Sequence, residues 1–416
     1  MRLIRITTNY PSYLKQFYSQ RPELQVKSYA VQYKTLMEDC YGWADFWTHA
    51  LGKLGYEVWE PVGNAEPMQK AWARENGVSY DEKTWLTDIV TAQIKHFQPD
   101  VVFVNDFSTY TAEFFDHIRS ECSSIKLVIG WCGSPYSDSS VFKAYDIVLS
   151  NIPSLVAHFK ENGHRCEYMC HAFEPRILDK INPNTTVKTK FSFIGSINKN
   201  IGFHNQREQL LKKLVKVTDL ELWLAINQPS KKERDIFLLK QKLYNFVKSI
   251  QSLPGMNYLL NRIPKIKTYT AMEYRPELFY DDIDATITAR CYPALFGIAM
   301  YQKLSESQVT LNAHIDISAQ YASNMRLYEA TGVKTCLMTD WQQNLHEVFE
   351  PDVEVVTYRS AEEAIEKFRY LLDHEDEQHQ IATAGQSRTL RNHTFDIRAY
   401  QLDRLIQKTL SLAEKN

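Results

Sequence analysis

The feature that most constrains the fold is a repeated alternation of short apolar runs with helix-length amphipathic stretches. Continuous apolar runs bounded by helices indicate strands buried on both faces, so the alternation predicts parallel, doubly wound α/β sheets. The first series of predicted strands covers residues 3–7, 57–60, 101–105, 126–131 and 147–150. The second covers residues 191–194, 220–224, 285–288, 309–312, 333–338 and 353–357. Helical patterns separate the strands, at residues 45–54, 84–97, 111–121, 206–215, 293–303, 325–331 and 361–372.

The length of 416 residues exceeds one ordinary core, so two domains of about 200 residues each are expected. We predict a Rossmann-like domain at residues 1–175, a polar linker at 176–190, a second such domain at 191–395 and a final helix within 396–416. Two doubly wound domains that face each other bring the carboxyl ends of both sheets to one ligand cleft.

The composition disfavours several classes of protein. A formal net charge of −2 gives no general attraction to nucleic acid. The N-terminal apolar run is too short for a secretory signal, and no stretch approaches the roughly 18 uncharged apolar residues of a membrane span, so a cytoplasmic protein is expected. The seven cysteines fit free thiols in a reducing compartment better than a disulfide framework.

The sequence SNMRLYEATG at residues 323–332 predicts a short helix that leads into a buried strand. Ser323 is predicted to cap its start, and Gly332 to supply a left-handed stop. Arg326 in the first turn adds positive charge to a helix start, where an anion such as a diphosphate fits. Glu329, one turn further on, can accept both hydroxyls of a ribose. The alternative is an ordinary ion pair between Arg326 and Glu329, three residues apart.

The motif SNMRLYEATG, followed by LMTD, LHEVFEP and EVVTYRSAEEAIEKFRYLL, resembles the C-terminal half of GT-B glycosyltransferases. The resemblance is strongest to the group related to the spore-maturation protein CgeB. It implies a GT-B fold of two facing Rossmann-like domains, and a last helix that crosses back to the first domain. It also implies that Glu329 holds the ribose of a nucleotide-sugar donor. Many relatives have a second glutamate eight positions earlier that contacts the sugar, and here that position is Tyr321.

Five further residues are predicted donor contacts in the second domain. Gly195 and Ser196 end its first strand, where the resemblance places the start of the donor domain, although they could form only a turn. Arg207 could reach the phosphates or be an exposed helix arginine. His314 follows another strand and could donate to a phosphate or be structural. Asn324 belongs to the motif that carries the resemblance.

Four residues are predicted on the acceptor side, in loops that follow strands of the first domain. Asp106 is the candidate catalytic base, since a carboxylate within reach can take the proton of an attacking hydroxyl. Its alternative role is to cap the following helix. The alternative mechanism is a front-face attack on the sugar, in which the departing phosphate takes the proton of the hydroxyl. Trp131 and Ser134 end the next strand, and Thr8 follows the first.

We expect no metal and no cofactor. Asp282 and Asp284 have the spacing of the metal-binding aspartates of GT-A enzymes, but they precede a predicted strand instead of following one. Cys166, Cys170 and His171 have no second ligand pair at zinc spacing and are predicted to be structural. A helix dipole and basic side chains would then stabilise the leaving diphosphate.

Residues 231–267 interrupt the alternation with nine Lys or Arg against two acidic residues, a local net charge of +7. Interleaved apolar residues predict basic amphipathic helices inserted in the second domain. The insertion could pack on that domain, contact an anionic membrane surface near a lipid-linked acceptor, or mediate self-association.

The sequence therefore predicts a metal-independent glycosyltransferase that moves a sugar from a nucleotide-sugar donor to a surface polysaccharide, glycolipid or protein glycan. One alternative keeps the fold but changes the reaction to that of a nucleotide-sugar epimerase or hydrolase. Another is an assembly protein that binds a sugar or nucleotide without turnover.

Overall fold

The computed structural model describes residues 1–136, 139–182, 188–198, 203–226, 231–251, 253, 256–263, 266, 269–270, 283–318 and 320–413. The chain divides into two compact units. The first comprises Met1–Ala225 and Ala285–Asn416, and the second Ile226–Asp284.

The first sheet of the larger unit is wholly parallel and has the strand order β2-β1-β3-β4-β5-β6. Its strands are β1 Arg2–Ile6, β2 Glu57–Trp59, β3 Val101–Val104, β4 Leu127–Trp131, β5 Ile147–Ser150 and β6 Cys166–Tyr168. The helices around it are α1 Pro11–Ser19, α2 Tyr29–Glu38, α3 Phe46–Gly52, α4 Glu66–Glu75, α5 Trp85–Phe97, α6 Ala112–Glu121 and α7 Pro153–Glu161. The first five strands confirm the prediction. The strand β6 was not predicted, because a run of three residues that includes a glutamate gives no clear apolar pattern in the sequence.

The second sheet of the larger unit is also parallel, with the order β12-β11-β10-β7-β8-β9. Its strands are β7 Thr189–Ser196, β8 Leu220–Ala225, β9 Cys291–Pro293, β10 Ser307–Asn312, β11 Cys336–Asp340 and β12 Val356–Tyr358. The smaller unit has the helices α9 Lys231–Gln251 and α10 Met256–Leu260. The helices around the second sheet are α8 Asn205–Val217, α11 Ala285–Thr288, α12 Gly297–Ser305, α13 Arg326–Gly332, α14 Leu345–Val348, α15 Ala361–Asp373, α16 Glu375–Asn392 and α17 Phe395–Ala413. Two parallel six-stranded sheets covered by helices confirm the predicted pair of doubly wound α/β sheets.

One predicted strand of the second sheet is wrong. Residues 285–288 form the short helix α11, and the edge strand is β9, six residues further on. A run as short as Ala-Thr-Ile-Thr fits either a helix or a strand. The strand β9 was not predicted because it contains Pro293, and proline is tolerated in a strand only at a sheet edge.

The two sheets with their helices, the N-terminal and C-terminal lobes, are joined within the larger unit. The backbone carbonyl of Asp39 accepts a hydrogen bond from Ile298 N–H at 2.8 Å. Gly297 precedes this contact with a left-handed φ of +52°, and a Cβ at that position would collide with Asp39. One hydrophobic cluster continues from Leu3 in the first sheet to Leu337 in the second. The lobes therefore share part of their core.

The last helix, α17, packs on α3 of the N-terminal lobe. Phe395 at its start meets the rings of Phe46 and Trp47 edge-to-face, with centroids 5.0 and 5.4 Å apart. Further along, Tyr56 donates a hydrogen bond to Asp403 at 2.6 Å. The helix thus adds apolar and polar contacts to a lobe whose other elements all lie before residue 170.

The predicted left-handed stop at Gly332 is wrong. Helix α13 includes Gly332, and the residue with positive φ is Lys334, at +65°. Glycine is required at position 332 for a different reason, because a Cβ would collide with the ring of Phe173. Phe173 belongs to the segment that connects the lobes, so its packing on Gly332 holds that segment close to α13.

The smaller unit contains the helices α9 Lys231–Gln251 and α10 Met256–Leu260. It includes much of the predicted basic insertion, of which residues 252, 254–255, 264–265 and 267 lie outside the described residues. Within the part of the chain that the structure describes, no helix is both long and apolar enough to cross a membrane.

Candidate active site

The central strands of the second sheet end side by side at one edge. Asn312 at the end of β10 pairs in register with Thr339 near the end of β11, and β7 lies on the other side of β10. Gly195 and Ser196 close β7, but they remain paired with β8 and are not the turn that the sequence indicated. This edge therefore brings together the chain after β7, β10 and β11.

Arg207 lies at this edge and connects two strand ends. Its guanidinium donates to the carbonyl oxygen of Ser196 at 2.9 Å and to that of Ala313. The residue is buried, so it is not an exposed helix arginine, and burial lowers its pKa to about 10 despite the opposing charge of Asp340. Its Nε is buried and has no hydrogen-bond partner among the described residues.

His314 is held in place by Asp340. Its Nδ1 lies 2.7 Å from Oδ1 of Asp340, and its backbone N–H also points to that carboxylate at 3.1 Å. Burial alone would raise the pKa of Asp340, but the charge and hydrogen bonds of His314 and a hydrogen bond from Gln342 together lower it. In the described structure the Nε2 atom of His314 is buried and makes no hydrogen bond. The carboxylate fixes the ring and leaves Nε2 for another group.

Arg326 and Glu329 form an ion pair across 2.8 Å, as the structural alternative predicted. Arg326 also donates to the carbonyl oxygen of Ile194 in β7 at 3.0 Å, so the pair is tied to the strand edge. Glu329 is buried, and Tyr301 donates a second hydrogen bond to it. The carboxylate is thus held in one position by α13, α12 and β7.

The predicted N-cap at Ser323 is wrong, because the cap position of α13 belongs to Met325. The hydroxyl of Ser323 instead lies 2.6 Å from that of Ser318, and its carbonyl oxygen accepts a hydrogen bond from Asn151 of the N-terminal lobe at 2.7 Å. Asn324 donates to Asn312 and to the carbonyl of Ala313, at 2.9 Å each. These bonds fix the loop that leads into α13.

In the N-terminal lobe, Asp106 lies in a tight turn after β3. Its carboxylate accepts hydrogen bonds from the backbone of Ser108 and Thr109, at 3.0 and 2.9 Å, and from the hydroxyls of Ser108 and Thr8, at 2.8 and 2.7 Å. Burial would raise the pKa of Asp106, but these bonds lower it. A carboxylate that is already bonded in this way is a weak base. The predicted alternative, a cap on the following helix, is wrong, because these bonds brace the turn at residues 107–109 and the N-cap of α6 is Thr111.

The other predicted acceptor-side residues lie at the end of β4. Trp131 is buried and packs edge-to-face on Trp43, with ring centroids 4.8 Å apart. Ser134 follows it and is partly exposed. Tyr10, after β1, is largely exposed.

No group of three or more His, Cys, Asp or Glu side chains is arranged to hold a metal ion within the described ranges. Asp282 lies outside the described residues, so the prediction that Asp282 and Asp284 do not bind a metal stays a prediction. Cys166 is buried in β6, and the ring of His171 is partly buried against Trp43 and Trp131. Burial lowers the pKa of His171 to about 3.

Sequence reasoning missed Asp340, Tyr301 and Asn151, which position His314, Glu329 and the loop before α13. Asp340 could have been found, because it ends a buried strand beside the one that precedes His314. Tyr301 and Asn151 gave no comparable signal, since their roles depend on contacts between distant parts of the chain.

Residues 271–404 match the family model described as "Glycosyl transferase-like". No curated protein matches the chain. Among solved structures, sucrose-phosphate synthase from Thermosynechococcus elongatus has 9% identity and a TM-score of 0.52, and the match covers 99% of this chain and 100% of that one. AviGT4, a glycosyltransferase involved in avilamycin A biosynthesis, has 11% identity, a TM-score of 0.52 and coverages of 99% and 98%. HepE from Anabaena, in complex with UDP and glucose, has 12% identity, a TM-score of 0.50 and coverages of 99% and 99%.

At such low identities the structural matches establish the fold alone, which is GT-B. The activity class comes from the sequence match over the C-terminal lobe. Together they confirm the prediction that the chain is a glycosyltransferase.

Proposed function

We propose that this glycosyltransferase uses a nucleotide-sugar donor and binds its nucleotide diphosphate where β7, β10 and β11 end. The observation that carries the proposal is that Arg207 Nε and His314 Nε2 are both buried at this edge without a described partner. A buried polar atom that makes no hydrogen bond costs about 1–3 kcal/mol, so such atoms call for a ligand. Phosphate oxygens accept hydrogen bonds from guanidinium N–H groups and from imidazolium. Imidazolium is the form in which His314 has an N–H at Nε2 while its Nδ1–H donates to Asp340.

Glu329 is the proposed ribose ligand. A carboxylate has about four acceptor sites, so its bonds with Arg326 and Tyr301 leave capacity for the two ribose hydroxyls. Arg326 then has two roles, since it orients Glu329 and adds positive charge near the strand edge. Gly195, Ser196 and Asn324 complete the proposed donor side, and the narrower relationship to the CgeB group rests on the motif around Glu329.

Donor chemistry without a metal is also part of the proposal. Two arginines, Arg207 and Arg326, approach the same strand end through the carbonyls of Ser196 and Ile194. Positive side chains that are fixed before the reaction can stabilise the charge that develops on the departing diphosphate.

We propose that the acceptor approaches from the N-terminal lobe, near Thr8, Trp131 and Ser134, and belongs to a surface polysaccharide, glycolipid or protein glycan. The four hydrogen bonds accepted by Asp106 favour a role in shaping this side over proton abstraction. Front-face attack, with the leaving phosphate accepting the proton, then becomes the preferred mechanism.

Nucleotide binding is the first test. UDP is the first nucleotide to try, because HepE was crystallised with it. The thermal stability of the protein should rise with UDP or another nucleoside diphosphate, since a ligand at 100 times its dissociation constant adds about 2.7 kcal/mol. His314→Ala should reduce this response, whereas His117→Ala, which removes an exposed histidine, should not. Equal responses of the two variants would contradict the proposed site.

Nucleotide release separates the reaction types. Release of nucleoside diphosphate from a nucleotide sugar only when an acceptor is present supports transfer. Release without acceptor would indicate a hydrolase, and binding without release would indicate a non-catalytic protein.

A further inference from the structure

The long helix α9 of the smaller unit has an apolar stripe that lies largely in solvent. The stripe recurs at spacings of three and four residues, so its members share one helix face. They are Ile236, Leu239, Leu243, Phe246 and Ile250. Leu239 is 67% exposed and Phe246 59%, which is unusual for large apolar side chains on a regularly spaced face.

The exposed apolar surface continues beyond α9. Leu253 follows the stripe at the same spacing and is 54% exposed. In and after α10, Tyr258, Leu259 and Ile263 are also exposed. A single exposed leucine needs no explanation, but a row of them in one small unit indicates a surface that is covered by a partner.

The charges on α9 identify the kind of partner. Its described side chains include four basic residues and one acidic residue, namely Arg234, Lys240, Lys242, Lys248 and Asp235. Lys240 and Lys242 lie on the two flanks of the stripe, at the helix positions next to Leu243 and Leu239. Basic residues beside an apolar face are typical of helices that lie in the interface of an anionic membrane. A second copy of the same helix would instead bring lysines opposite lysines.

We infer that α9 docks on an anionic membrane surface, with the stripe from Ile236 to Ile250 facing the acyl chains and the lysines facing the headgroups. Long lysine side chains can extend from the edge of a buried apolar face to charged headgroups. The inference does not depend on the proposed donor site, because it rests on residues of the other unit.

Vesicle sedimentation of the full chain, without nucleotide or sugar, tests the inference. The protein should bind vesicles that contain phosphatidylglycerol and not vesicles of phosphatidylcholine alone. Binding should weaken from roughly 0.1 M to roughly 1 M salt, as the screening length falls from about 10 to about 3 Å. The double variant Lys240→Gln/Lys242→Gln should bind about 25-fold more weakly, because each basic residue near such a surface contributes about fivefold.

Two matched controls separate the stripe and its charges from general surface effects. Leu239→Ser/Phe246→Ser should abolish binding, whereas Leu238→Ser, which removes an exposed leucine outside the stripe, should leave it unchanged. Lys34→Gln/Lys126→Gln removes two exposed lysines of the larger unit and should also have no effect. Unchanged melting temperatures would show that each variant is folded.

Three results would overturn the inference. They are a lack of binding to either vesicle, equal binding to both, and a dimer in analytical ultracentrifugation that Leu239→Ser/Phe246→Ser dissociates. The last result would assign the stripe to a second copy of the chain.

Discussion

Replacing Asp39 with asparagine should stabilise the protein at neutral pH and have little effect near pH 4. The Asp39 carboxylate accepts a hydrogen bond from Tyr13 at 2.9 Å, beside the contact between the lobes. Burial raises its pKa from 3.8 to about 6, against the opposing effects of that hydrogen bond and of the charges on Arg21 and Lys180. Between these two pKa values the native state binds more protons than the unfolded state. The free energy of unfolding therefore falls as the pH rises from about 4 to about 6.

The size of the effect follows from the shift. A difference of about two pKa units corresponds to about 3 kcal/mol, which the wild-type protein loses when Asp39 is ionised. Asparagine removes the charge and keeps an oxygen that can accept from Tyr13. Asp39→Asn should therefore exceed the wild-type free energy of unfolding by up to about 3 kcal/mol at pH 8, with the difference disappearing near pH 4.

Urea unfolding at pH 4, 5, 6 and 8 measures this difference directly. Asp116→Asn removes an exposed carboxyl group and controls for the lost surface charge. A difference between wild type and Asp39→Asn that is the same at every pH would refute the reasoning, because it would show that burial does not affect ionisation of Asp39.

The remaining predictions concern the candidate site and the packing of α13. Glu329→Gln should weaken nucleotide binding in calorimetry by about 1–3 kcal/mol, and unchanged affinity would contradict the ribose assignment. Turnover should persist in excess chelator, whereas loss of activity that manganese or magnesium restores would require a metal. Asp340→Asn should weaken nucleotide binding about tenfold, because His314 is then no longer held in place. The double variant Asp340→Asn/His314→Ala should bind nucleotide no more weakly than His314→Ala alone. Gly332→Ala should lower the melting temperature, with a loss of about 1–3 kcal/mol from the collision with Phe173, and an unchanged melting temperature would show that Phe173 can move aside.

Periodicity in the sequence was sufficient for most of the two sheets, because strands buried on both faces leave continuous apolar runs. It failed at β9, a short edge strand of three residues in which Tyr292 and Pro293 are exposed. It also failed at β6, which has only three residues. Edge strands are half covered, so their sequences carry less of the signal that identifies central strands.

The candidate site was partly predictable for a related reason. His314 follows a buried strand and Ser196 ends one, and their positions along the chain identified the edge on which they meet. The contacts that orient the site come from residues far away in sequence. Asn151 holds the carbonyl of Ser323 across 172 positions. The hydroxyl of Ser323 pairs with that of Ser318 and so does not cap α13, a competition between side chains that capping preferences do not include.

The packing of α17 on α3 affects how the protein can be made in a cell. Tyr56 and Asp403 are 347 positions apart, so the N-terminal lobe stays incomplete until Asp403 has been synthesised. Until then Phe46 and Trp47 lack the ring of Phe395 that covers them. A nascent chain with such aromatic surface exposed is prone to aggregate and is a natural client for chaperones. A fragment that ends before Phe395 would keep that exposure permanently, so the two lobes should not be separable by cutting the chain at the connecting segment.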